Sequence, residues 1–193
     1  MNIDLIKKLR ERTGAGILDC QKALSETKGD LEKAEEILRK KGQKIVASKS
    51  QRETKAGIIG VYLHNNERVA ALVELACETD FVAKNKEFKE LAHDLAMQIV
   101  AMNPLYIKPE DIPQEILEKE KEIYREEMAK EKKPANILEK IIEGKLEKFY
   151  QTVCLLKQPF IKDQNIRIED LIKTKIARLG ENIQVKRFIR FEM

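Results

Sequence analysis

The sequence predicts an α+β protein: a small three-helix bundle at the amino end, a basic stretch, then an antiparallel sheet backed by helices with a helical hairpin. Three observations carry this. Apolar residues recur at helical spacing through residues 2 to 41, the period drops to two from Ile58 to Leu75, and a last alternating run spans Ile183 to Phe191.

The bundle follows from three apolar stripes. Leu5, Ile6 and Leu9 form the first, and Thr13-Gly14-Ala15-Gly16 interrupts it with two glycines. Ile17, Cys20, Ala23 and Leu24 form the second, which stops near Gly29. Asp30 is placed to cap a third helix whose buried face is Leu31, Ala34, Ile37 and Leu38. Residues 1–42 are therefore expected as one module, near the lower size limit for independent folding. Between Arg39 and Lys55 stand seven basic residues and one acid, Glu53, and residues 43–56 are expected as a linker. No aromatic lies among those charges to stack a base, which favours a solvated hinge over a nucleic-acid arm.

Residues 57–193 are expected to fold as the α+β core. Ile58 to His64 and Arg68 to Leu75 are β-prone runs joined through Asn65-Asn66, a pair that tolerates positive φ, so a hairpin is expected. After Glu78-Thr79-Asp80-Phe81, a helix carrying Phe88, Leu91, Leu95, Ile99 and Met102 on one face should end at Asn103-Pro104. Residues 115 to 133 hold 13 charged side chains, seven acidic and six basic, around a thin seam of Ile116, Leu117, Ile123, Tyr124 and Met128. Such a helix is too polar for a core. It forms either a projecting hairpin or dimer surface, about residues 113–150, with the apolar positions beyond Pro134, or a surface helix docked on its own domain. A helix from Ile168 to Leu179, a Gly180-Glu181-Asn182 turn and a strand with Ile183, Val185, Ile189 and Phe191 on one face complete the chain, and Arg187 interrupts that face.

Composition excludes several classes. The 193 residues carry 37 Lys+Arg and 33 Asp+Glu, so the +4 net charge lacks the strong one-signed field of a typical nucleic-acid binder. The longest uncharged run, Leu95 to Ile107, is too short to span a bilayer, which needs roughly 20 apolar residues. The amino terminus mixes acids and bases and does not resemble a secretory signal. Cys20, Cys77 and Cys154 are odd in number and widely spaced, as expected of reduced thiols in a cytoplasmic protein.

Chemistry-bearing patterns are sparse. His64 and His93 stand without a nucleophile pattern, and neither a GxxxxGK[ST] loop nor a GxGxxG follows a strand. No catalytic residue, metal site, cofactor or enzymatic activity is expected, and by elimination the chain should act on another protein. Asp80-Phe81 lies at a strand-to-helix junction. Spacing favours Phe81 opening the core face of the next helix with Asp80 as its cap; the alternative is an outward wedge for a partner's pocket.

Several segments carry a family likeness. Leu9-Arg10-Glu11-Arg12-Thr13-Gly14-Ala15-Gly16-Ile17-Leu18-Asp19-Cys20-Gln21-Lys22-Ala23-Leu24 and Thr79-Asp80-Phe81-Val82-Ala83-Lys84-Asn85 resemble motifs of the bacterial elongation factor Ts family. So do Leu156 to Phe160, Leu179-Gly180-Glu181-Asn182-Ile183 and Arg187 to Glu192, and the likeness covers essentially the whole chain. The resemblance implies a guanine-nucleotide exchange factor for the GTPase elongation factor Tu, with a ubiquitin-associated-like amino-terminal domain. It implies docking through Arg12, Ile17, Leu18 and Lys22, insertion through Asp80, Phe81 and Val82, and pressure on the partner's phosphate side from Leu179 and Gly180. The length resembles the family's short form, which implies a homodimer in a 2:2 complex, with no membrane and no direct nucleic-acid contact. The rival reading is a basic ribosome- or RNA-binding protein using the linker. Two positions depart from the family pattern: Ile17-Leu18 stand where many members carry paired methionines, and Gln98 where many carry histidine.

Overall fold

In the computed structural model, which describes residues 3–129 and 135–193, the chain opens with helices α1 (Ile3–Thr13), α2 (Ile17–Glu26) and α3 (Leu31–Lys49). Leu9, Cys20, Ala23, Leu24, Ala34 and Leu38 make their common core, with Leu5, Ile6, Leu31 and Ile37 packed at its edge. Ile17 departs from the expected stripe: as the first residue of α2 it overhangs the core and is exposed. The turn into α2 is closed from both sides. Gly14, at φ +65°, donates its N–H to the Arg10 carbonyl at 2.7 Å, a left-handed position that costs a side-chain-bearing residue about 1 kcal/mol. Thr13 Oγ donates to the Leu9 carbonyl at 2.7 Å and accepts the Ala15 N–H at 3.3 Å. Asp30 caps α3 as expected, accepting the Lys33 N–H at 3.1 Å. Residues 43–49, which composition assigned to the linker, continue α3. Gln43 and Lys44 are good helix formers exposed to solvent, while Ile45, Val46 and Lys49 are half-buried.

Strands β1 (Ala56–Leu63) and β2 (Val69–Cys77) make the expected hairpin, and the His64 N–H donates to the Val69 carbonyl at 2.9 Å, but the positive φ of the turn, +57°, falls on Glu67 and not on the Asn65-Asn66 pair. A short turn of helix, α4 (Asp80–Ala83), and the long α5 (Lys86–Met102) follow. Asn85 accepts the Glu87 N–H at 2.8 Å and so starts α5 anew, and Asn103, at φ +44° before Pro104, ends it. Met102 is exposed, so the buried face stops at Val100. Helices α6 (Gln114–Ala129) and α7 (Ala135–Val153) pack on each other, with Lys145 5.3 Å above the Tyr124 ring and paired with Glu127. The expected Pro134 turn and the charged residues from Lys130 to Lys133 lie outside the described residues.

A small antiparallel pair, β3 (Pro159–Phe160) with β4 (Asp163–Arg167), was not foreseen from the sequence, since it is short and interrupted. Helix α8 (Ile168–Leu179) and strand β5 (Ile183–Glu192) close the chain within a residue or two of the expected bounds. The larger sheet has the order β1-β2-β5.

The chain divides into two units. One holds residues up to Ile58 with Glu74–Leu91 and Ile172–Lys186; the other holds Ile59–Val73, Ala92–Leu171 and Arg187–Met193. In the second unit Gln98, fully buried, is the polar joint: its amide donates to the Gln158 side chain at 3.2 Å and the Pro159 carbonyl at 3.1 Å, and accepts the Ile161 N–H at 2.9 Å. These bonds satisfy both ends of a buried amide and clamp β3 to α5.

One face of the sheet in this unit is apolar and open. Gly60 faces Ala92 of α5 and Arg190 donates to the Val100 carbonyl at 3.3 Å, so alternation turns Ile59, Val61, Leu63, Ile189 and Phe191 to the other side. Leu72, between buried Ala71 and Val73, joins them, and all six are exposed. Of the expected β5 stripe, Ile183 is buried and Val185 half-buried, while Ile189 and Phe191 are exposed.

Candidate functional site

The residues singled out from the sequence fall in the first unit. Phe81 is 86% exposed, while its neighbours Val82 and Ala83 are buried. This reverses the expectation that Phe81 opens a core face. In one continuous helix Phe81 and Phe88 would share a side, seven residues apart, but the break at Lys84-Asn85 resets the phase and leaves Phe81 outside. The cap is also not Asp80: Thr79 Oγ accepts the Val82 N–H at 3.4 Å, and Asp80 is exposed in the first turn. Val82, expected as a contact residue, roots the turn from beneath.

Behind this turn lies a polar knot joining three segments. One Glu181 carboxylate oxygen accepts the Glu78 N–H at 3.1 Å and the Thr79 N–H at 3.0 Å, and the other accepts the Thr79 hydroxyl at 2.7 Å. Glu78 answers by accepting the Asn182 N–H at 2.7 Å and pairing with Arg52 at 3.3 Å. The Asn182 side chain, with its residue buried, donates to the Ser50 and Arg52 carbonyls at 3.3 and 2.7 Å. The Asn182 amide and the Arg52 guanidinium hold the Glu78 carboxyl below its ordinary pKa. Because that pKa is depressed on folding, its contribution is present above the unfolded value near 4.5 and fades as acid titrates the folded group.

Leu179 and Gly180 lead into this knot. Gly180, at φ +75°, donates its N–H to the Ile176 carbonyl at 2.9 Å and ends α8 by a left-handed cap. Farther along α8, Arg178 pairs with Glu87 at 2.8 Å and lies where a Cβ on Gly14 would meet its guanidinium at 3.2 Å. Gly42 of α3 faces Ala177, a Cβ there lying 3.4 Å away. The bundle is thereby fixed to the helix that carries Leu179 and Gly180.

On the bundle, Ile17 and Leu18 are 55% and 70% exposed, with exposed Lys22 one turn on. Arg12 is also exposed and reaches Glu35 at 3.8 Å. All three cysteines are buried free thiols whose pKa burial raises, Cys154 to about 11, so they stay protonated at neutral pH. His64 and His93 are exposed and each lies beside Tyr62, and His93 Nδ1 stands 3.3 Å from the Val61 carbonyl, which can only accept its N–H. Among the described residues no helix is long and apolar enough to cross a membrane.

Fold and surface define a class: an α+β protein whose conspicuous features are apolar side chains held outward on braced junctions. The family described as Elongation factor TS matches residues 13–193. An Elongation factor Ts of Thermotoga maritima is 58% identical over 193 residues, covering all of this chain and 96% of that protein. One from Fervidobacterium nodosum is 54% identical over 100% of this chain and 98% of its own, and one from Carboxydothermus hydrogenoformans 54% over 98% and 87%. The chain belongs to the elongation factor Ts family.

Proposed function

We propose that this chain is the guanine-nucleotide exchange factor of elongation factor Tu, acting in the cytoplasm to open the partner's Mg²⁺ and phosphate site and release GDP. The observation that carries the reading is Phe81, outward and 86% exposed on a turn held by buried Val82 and by Thr79. A bound nucleotide is held largely at its phosphates by backbone amides and Mg²⁺, so a group that parts the partner's side chains near that site loosens its strongest charge pairing. In this reading the bundle, residues 1–42, docks through Arg12, Ile17, Leu18 and Lys22, Asp80 and Phe81 insert, and Leu179 and Gly180 press on the phosphate side. Release of labelled GDP from the cognate elongation factor Tu should accelerate when the chain is added. An unchanged rate, with RNA binding that weakens steeply as salt rises, would instead favour the RNA-binding alternative.

The same reading includes a homodimer forming a 2:2 complex. The open face of Ile59, Val61, Leu63, Leu72, Ile189 and Phe191 supports it, because contiguous apolar patches of this kind are uncommon on monomers. Val61→Glu should shift the sedimenting species from two chains to one without lowering stability, since position 61 is already exposed. A wild-type chain that sediments as a monomer at micromolar concentration would contradict the dimer.

A further inference from the structure

We propose that Glu181 is the positioning residue for Phe81: its carboxylate locks the turn carrying Asp80 and Phe81 before any partner arrives. The proposal rests on the reading of Phe81 as the inserting group. Glu181 lies 103 positions from Glu78, yet it accepts both backbone amides that lead into the turn and the hydroxyl of the residue that caps it. The hydroxyl of Thr79 therefore does two things at once, donating to Glu181 and accepting the Val82 N–H. The return bond from the Asn182 N–H to Glu78 makes the junction reciprocal, so the two segments cannot slide independently.

An α4 of only four residues has no helical cooperativity of its own to hold it, and the buried Val82 fixes its depth but not its swing. Without Glu181, the Glu78 and Thr79 amides turn to water and Phe81 samples several directions. The ordering is then deferred to the encounter, where it subtracts from the binding available to open the partner. Glutamine at this position retains an oxygen for the two amides and an NH2 group that can donate to the Thr79 hydroxyl, so it should preserve the lock.

The test measures GDP release from elongation factor Tu against factor concentration for Glu181→Ala, Glu181→Gln, Phe81→Ala and the Glu181→Ala/Phe81→Ala pair, alongside hydrogen exchange of the free chains. Glu181→Ala should slow the saturating rate about tenfold with an unchanged half-saturating concentration, and Glu181→Gln should stay within about twofold of wild type. In the Phe81→Ala background, Glu181→Ala should add less than about a twofold loss, because both substitutions remove the same wedge. In the free chain, Glu181→Ala should speed exchange of the Glu78 and Thr79 amides. An equal slowing in both backgrounds, or a loss that follows melting temperature and is not rescued by glutamine, overturns the positioning role. A Phe81→Ala chain that releases GDP at the wild-type rate overturns the wedge reading itself and the proposal with it.

Discussion

Phe81→Ala should slow factor-stimulated GDP release by about ten- to a hundredfold at saturating factor, the rate equivalent of the 1.5–3 kcal/mol that burial of a phenylalanine contributes. Stopped-flow release of labelled GDP reads this directly. Folding should be almost untouched, because a side chain 86% exposed has little native burial to lose. A variant that melts with the wild type yet exchanges slowly separates the function of Phe81 from the stability of its turn. An unchanged rate would refute its role as a wedge.

The size of this effect follows from linkage. A factor accelerates release only to the extent that it binds the opened, nucleotide-poor partner better than the loaded one, and equal affinity for both shifts nothing. An aromatic ring meets that condition when it finds a pocket only after the partner's side chains have parted. Reciprocity then requires GDP to weaken the factor's binding by the same ratio. In Phe81→Ala that ratio should shrink, so calorimetry with loaded and nucleotide-free partner should show the two affinities converging.

Local rules made the elements legible. The stripes of α1 and α3, the Asp30 cap, the Asn65-Asn66 hairpin and the Asn103-Pro104 stop each rest on residues within a few positions of one another, and each appears in the fold. Phe81 was misplaced because its outward direction depends on a helix break at Lys84-Asn85, and spacing alone assigns a continuous helix where Phe81 and Phe88 share a face. Composition likewise assigns residues 43–56 to a linker, since their charges hide the half-buried Ile45 and Val46 of an α3 that continues to Lys49. Glu181 stood in a recognised segment, but its partners Glu78 and Thr79 are set by tertiary pairing, which no local pattern reports. Gln98 carried no local sign of its role for the same reason, its partners being some 60 residues away. Thus motif positions were legible, while the contacts that aim them were not.

Gly60→Ala should destabilise the chain by about 3 kcal/mol, at the upper end of ordinary overpacking. A Cβ at this position of β1 would stand 2.5 Å from the Ala92 carbonyl oxygen and 2.7 Å from its carbon. Those are backbone atoms of α5, so no side chain can rotate away and either the strand or the helix must move. At a few degrees per kcal/mol for a chain of this size, the melting temperature should fall by roughly 6–12 °C, and the denaturant midpoint should drop with an unchanged slope. Ala92→Gly removes only the Ala92 Cβ, 2.9 Å from the added methyl, and leaves the carbonyl in place, so rescue should be partial at best. Gly144→Ala in α7 is the control: among the described residues nothing beyond its own helix lies within 4 Å of an added Cβ, and alanine there should stabilise by about 0.5–1 kcal/mol. A wild-type melting curve for Gly60→Ala would mean that strand and helix yield at little cost. If the strand yields only at a cost, the consequence reaches the open sheet face, because Ile59 and Val61 flank Gly60 on β1 and move with it. The glycine that lets β1 lie against α5 therefore also sets the height of the apolar surface offered on the other side.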